Sequence, residues 1–168
     1  MPNSEQAFRP ELLSRQGERN AWLFALLASL ALGLLQQQGV VLGFSWIFVI
    51  FLFIAALSIS LGNWMDRRTV LRLAADGVSF ENGLRSEQLG WTEIKEVRIH
   101  PARWGEKIQV LGEKSHFSFN TLGELQFQGK NRTRVGFAQG QKILKQILDA
   151  SGLTKKQQND QYTYYSRP

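Results

Sequence analysis

The sequence predicts an α+β membrane protein, with an N-terminal helical hairpin followed by an antiparallel β domain and one amphipathic helix. Three observations predict it. No Asp, Glu, Lys or Arg stands between Asn20 and Met65. From Val70 onward, apolar residues recur at every second position in short runs divided by Gly-containing turns. Near the C-terminus, in GQKILKQILDAS, the period changes to that of a helix.

Charge and composition limit the function classes. A chain of 168 residues holds one ordinary domain plus an appendage. Its mean hydropathy of −0.21 suits a soluble protein, but the average hides the uncharged stretch. Residues 1–19 balance Arg9, Arg15 and Arg19 against Glu5, Glu11 and Glu18, so the formal charge of +6 falls on residues 66–168. A basic domain beside a membrane is drawn to anionic headgroups by about 1 kcal/mol per basic side chain. It could also attract an acidic protein face; nucleic acid is not expected as a partner. The absence of cysteine excludes disulfides, thiolate zinc sites and cysteine nucleophiles. The first apolar run starts after some twenty polar residues and lacks a cleavage motif, so a secretory signal is not expected.

The hairpin is expected over residues 20–65, with helices at about 20–37 and 40–64. AWLFALLASLALGLL is short for a span of about 20 residues and needs polar neighbours to reach the length. VVLGFSWIFVIFLFIAALSISLG meets it outright. The QQQG link makes the helices antiparallel neighbours. Arg15 and Arg19 precede the pair, Arg67, Arg68 and Arg72 follow it, and the link is uncharged. The positive-inside rule therefore puts both termini in the cytoplasm, in a bacterial inner membrane or a thylakoid. Trp22 and Trp64 would sit at that interface and Trp46 nearer the other. Ala21, Ala25, Ser29 and Gly33 on one helix, with Ala55, Ser58 and Gly62 on the other, form small stripes suited to close packing.

The β domain is expected over residues 66–153. Leu71 and Leu73 alternate, Asp76-Gly77 signals a turn, and Val78 and Phe80 share a face before Asn82-Gly83, a favoured hairpin dipeptide. Leu89 with Trp91, Val97 with Ile99, Ile108 with Val110, Phe117 with Phe119, and Leu125 with Phe127 continue the pattern. Phe137, Gly140, Ile143, Leu144, Ile147 and Leu148 form one face of the closing helix. Gly152-Leu153 reads as its left-handed cap and hydrophobic contact. Residues 154–168 are polar and aperiodic, and a disordered tail is expected there.

On three stretches, LRLAADGVSF-NG, LGWTEIKEVRI and QKILKQILDASGL, residues 68–153 resemble the bacterial pleckstrin-homology-like domains of small membrane proteins. The resemblance implies a bent barrel of six to seven strands, with the helix plugging one end and Trp91, Ile94 and Val97 in the core. The whole-chain plan, with Arg19-Asn20-Ala21-Trp22 before the first helix, is also similar to a photosystem I assembly factor family of cyanobacteria and chloroplasts. That family's later glycines and charged runs have no counterpart here.

Motifs of catalysis are not found. His100 and His116 have neither metal-ligand spacing nor a cysteine partner, and nucleophile-elbow and Walker patterns are missing. No enzyme activity, cofactor or metal is expected. Lys130, Arg132 and Arg134 alternate in KNRTR, where they could hold phosphate or carboxylate groups or guard a strand edge. In the eukaryotic relatives, inositide binding uses several basic residues in the first hairpin. Here ENGLRSE offers Arg85 alone between Glu81 and Glu87.

The expected function is that of a membrane-anchored binding module, a scaffold or assembly factor for an integral membrane protein complex. Arg103 and Trp104 in the HPARWGEK loop are its candidate partner contact. The alternative is an anionic-lipid sensor using Arg67, Arg68, Arg72, Lys130, Arg132 and Arg134. A membrane enzyme stands a distant third.

Overall fold

The structure, a computed structural model, describes residues 5–12, 14–39, 43–102, 105–127, 130–158 and 162–167. For residues 124–127, 130–134 and 158 it describes the backbone alone. The chain divides into two compact units, Ser14–Met65 and Met1–Leu13 with Asp66–Pro168.

The first unit is the helical pair α1 (Gln16–Gln37) and α2 (Ser45–Arg68). Both helices are long and apolar enough to cross a membrane, with mean hydropathies of 1.3 and 2.3. Their outer surfaces carry Phe24, Leu30, Phe48 and Phe51, all exposed. α2 begins at Ser45 rather than Val40, with Gly43 and Phe44 in a turn before it.

Close packing falls partly where small residues predict it. Ala25 is completely buried on α1. On α2, however, the buried positions are Val49, Ala56 and Asn63, each separated by two helical turns, whereas Ser58 and Gly62 are exposed. A Cβ built on Gly33 or Gly62 would meet nothing within 4 Å. Polar groups explain the rotation. Trp22 Nε1–H donates to Ser60 Oγ at 2.9 Å, and Asn63 Nδ2 donates to Glu18 Oε2 at 2.9 Å. Turning the Gly62 stripe inward would break both bonds. The Trp22 ring also meets Phe53 edge-on at 5.9 Å.

The second unit begins before the helices. β1 (Gln6–Phe8) pairs antiparallel with β2 (Val70–Leu73), setting Phe8 opposite Leu71. β3 (Gly77–Glu81) and β4 (Ser86–Gly90) complete a four-stranded sheet in the order β1-β2-β3-β4. Trp91, Thr92 and Glu93 turn the chain into β5 (Ile94–Pro101), which belongs to the other sheet. The stretch LGWTEIKEV is thus where the chain passes from sheet to sheet. β6 (Glu106–Gly112) and β7 (His116–Asn120) follow as a meander. β8 (Gly123–Phe127) and β9 (Lys130–Val135) pair with each other, and α3 (Gly140–Ser151) comes next.

Residues 154–168 do not trail away as the sequence reading expects. β10 (Thr154–Gln158) and β11 (Thr163–Ser166) form a hairpin that extends the second sheet, giving the order β10-β11-β5-β6-β7. The closed barrel is also corrected. The sheets have four and five strands, and β8-β9 is a separate ribbon. Among the described residues, the segment just after β9 reaches the rest by isolated bridges, Glu11 to Gly136 and Thr121 to Phe137. Among the described residues, no continuous ladder joins this ribbon to either sheet.

The core lies between the sheets and under α3. Val78, Ile94, Val97, Ile108, Val110, Ile143 and Ile147 are fully or almost fully buried. Phe80 of β3 stacks on Phe117 of β7 at 5.4 Å, joining the two sheets. Trp91 departs from the core assignment. It lies in the turn, half-buried against the cluster, with its indole N–H on the Ala75 carbonyl at 3.1 Å. α3 ends at Gly152 with φ 66°, whose N–H bonds the Leu148 carbonyl, and Leu153 is buried beside it.

Candidate binding surfaces

Arg103 and Trp104 lie outside the described residues. Their flanks close the β5–β6 hairpin. Pro101 pairs with Glu106, and the Ala102 N–H bonds the Gly105 carbonyl at 3.1 Å. The strands of that hairpin are anchored by Ile99 and Ile108.

The candidate basic residues fall on three elements, α2, β2 and β9. Arg67 and Arg68 occupy the last turn of α2, where they complement the negative end of the helix dipole. Arg72 lies on β2 between two carboxylates, 3.5 Å from Glu81 and 3.7 Å from Glu5, so much of its charge is already answered. Lys130, Arg132 and Arg134 lie on β9. The register shifts between Leu125 and Gln126, placing Lys130 opposite Phe127 and Arg134 opposite Glu124.

Arg85 has a structural task that the sequence did not suggest. Its Nε meets Glu87 Oε1 at 2.5 Å, and its Nη2 donates to the His116 carbonyl at 2.7 Å. It therefore ties the β3–β4 hairpin to β7. The Arg85 hydrogen bond holds the Glu87 carboxyl below its ordinary value. His116 thus contributes its backbone, while His100 sits 6.0 Å from the Tyr162 ring. Among the described residues, no group of three His, Cys, Asp or Glu could hold a metal ion.

Two open grooves mark the β unit. The larger, about 930 Å³, runs between β1, the turns after β2 and β4, and α3. Leu73 and Trp91 give it apolar wall, Glu5, Asp76 and Asp149 its negative charge, and Gln146 an amide. The second, about 460 Å³, lies on the outer face of the five-stranded sheet, among Arg98, His100, Gln157, Tyr162 and Tyr164. Glu96 accepts from Arg98 and, at 2.9 Å, from the Tyr164 hydroxyl. Sequence reasoning missed this face because three of its five members belong to the supposed tail. The signal was YTYYS, a run of strand-favouring residues.

Both grooves offer hydrogen bonds, charge and aromatic surface, which suits recognition of another molecule. Comparison of the chain with family models, with curated proteins and with solved structures yields no match.

Proposed function

We propose that this chain is a membrane-anchored binding module, with a pleckstrin-homology-like domain that scaffolds or assists assembly of an integral membrane protein complex. The carrying observation is the pairing of β1 with β2. β1 precedes the two apolar helices and β2 follows them, yet they share one sheet. If both helices cross a bilayer, the chain returns to its starting side, and the strands can pair. A single crossing would separate them. The arginine flanks support a cytoplasmic location for that side.

On this reading the hairpin sets location and the β unit makes the contact. The domain's interior is committed to Ile94, Ile108, Ile143 and their neighbours, so binding falls to its edges, loops and grooves. The similarity of the whole-chain plan to a photosystem I assembly factor family points to a membrane complex as the client. The test is gentle solubilisation of membranes containing the full chain. A stoichiometric membrane protein should co-purify with it and be lost when residues 69–168 are removed. If nothing stoichiometric accompanies the full chain, the scaffold reading falls.

A second reading, sensing of anionic lipid, is favoured by Arg67 and Arg68 at the end of α2. It predicts that charge reversal at these residues, or at Lys130, Arg132 and Arg134, weakens a salt-dependent association with anionic vesicles. Unchanged vesicle binding would reject it.

A further inference from the structure

β5 is gripped unequally on its two sides. On one side β6 supplies Ile108 and Val110, both completely buried. On the other, β11 pairs from Thr163 opposite Ile99 to Ser166 opposite Glu96. The β10–β11 hairpin adds little apolar burial. Tyr165 packs partly buried against the core, while the side chains of residues 154–157 are exposed. Further ties are polar, Tyr164 to Glu96 and the Arg167 guanidinium to the carbonyls of Trp91 and Thr92, with the Tyr162 ring 6.0 Å from that of His100. Segments held by exposed backbone hydrogen bonds and few apolar contacts open before the core does. Lifting this one would leave β5 as an edge, with a row of free N–H and C=O groups.

We propose that the β10–β11 hairpin is a displaceable cover over a strand-docking edge. The partner binds by laying an extended antiparallel segment along β5. This rests on the binding-module reading and specifies its contact. The resident strand defines what fits. Tyr165 stands opposite Val97 and reaches the core, while Tyr164 stands opposite Arg98 and reaches the outer face at Glu96. Two residues further, Arg167 meets carbonyls of the β4–β5 turn. A matching segment therefore carries two adjacent aromatic residues and a basic residue two places on. Main-chain bonds supply affinity, and the alternating side chains supply selectivity.

The experiment uses the full chain in detergent micelles, with a labelled synthetic peptide of residues 154–168 as probe. Amides of β11 should exchange on the order of 100-fold faster than those of β6. A chain ending at Leu153 should keep its β6 protection and bind the peptide. The intact chain should bind it at least about 10-fold more weakly, because only its open fraction competes. A scrambled peptide should bind neither. Glu96 and Ser166 are opposed, and the protein has no cysteine of its own, so Glu96→Cys with Ser166→Cys can lock the cover. Oxidation should abolish peptide binding, and reduction should return the variant to its own level before oxidation, which is the reference because Glu96 also holds Tyr164.

Exchange of β11 together with β6, or loss of β6 protection in the shortened chain, would make the hairpin an integral strand and overturn the proposal. So would equal binding of the scrambled peptide, or none of the native one. A disulfide formed between two chains would give the edge to a second copy instead of a partner. These readouts use only this chain's own segments. Failure to find a co-purifying membrane protein would therefore sink the scaffold reading without touching them.

Discussion

Replacing Gly140 by Ala tests the packing of α3 most directly, because two effects of opposite sign meet there. Helix propensity favours Ala by up to about 1 kcal/mol in a helix interior, and by less at a first-turn position. Packing opposes it. A Cβ at Gly140 would lie 2.8 Å from Thr121 Cα and 3.0 Å from its Cβ and Cγ2. Thr121 cannot easily retreat. Its N–H bonds the Glu106 carbonyl at 2.9 Å, and its Oγ1 accepts from the Glu106 N–H at 2.8 Å. Forcing one methyl into such a site costs about 1–3 kcal/mol. The balance is a net loss of about 1–2 kcal/mol, since the offset from propensity is small at the helix start. Hydrogen exchange of the slowest β6 and α3 amides in the full chain would read it, with Lys142→Ala as an exposed control. Stabilisation by Gly140→Ala would refute the close approach, and with it the seating of α3 on Thr121.

Trp91→Ala should cost less than Ile94→Ala, for which about 2–5 kcal/mol is usual at a buried site; the same exchange measurement decides, and a larger loss at Trp91 would return it to the core. Reporters fused at residue 38 and, through a spacer, at the C-terminus should report opposite compartments; equal signals would dismiss the hairpin topology. Asn63→Ala should weaken helix association by about 0.6–1.7 kcal/mol, the range for hydrogen bonds between helices in lipid, as measured by steric trapping. The Glu87 carboxyl, held down by Arg85, should titrate by NMR below its ordinary value of 4.5 and return toward it in Arg85→Ala. Because the folded value is the lower one, the pair's contribution is present above the unfolded value and fades as pH falls through the folded value. The stability gap between wild type and Arg85→Ala should therefore narrow in acid.

The legible parts of this fold are those written in apolar periodicity. Val78 and Phe80, Ile108 and Val110, and Phe117 and Phe119 alternate and are buried, while Ile143 and Ile147 repeat with the helix and are buried. Gly152 caps α3 because only a left-handed residue ends it there. Elements whose stability comes from the backbone left little trace. β1 is three residues long with Phe8 its one buried side chain, and β10 is wholly polar, so neither shows a period to read. The α2 stripe was misplaced for a different reason. Residue size suggested Gly62, but the bonds of Trp22 to Ser60 and of Asn63 to Glu18 decide the helix rotation, and pairings between helices cannot be read from one helix alone. The candidate binding residues were chosen by type. Arg72 proved to be paired within the domain, which a list of charges does not reveal.

The placement of β1 ahead of the helices also bears on how the protein is made. At ordinary rates of synthesis, about 5–20 residues per second, β1 leaves the ribosome several seconds before β2 exists. If both helices cross a bilayer, as proposed, it must wait, unpaired, while they insert. A chain that inserts only one of them strands Phe8 across the membrane from Leu71, whose buried neighbourhood then lacks a ring. Such a misinserted molecule would display a frayed sheet to proteases, whereas a correct one zips shut. Completion of the four-stranded sheet would thus act as a proofreading mark for membrane insertion, carried by three residues.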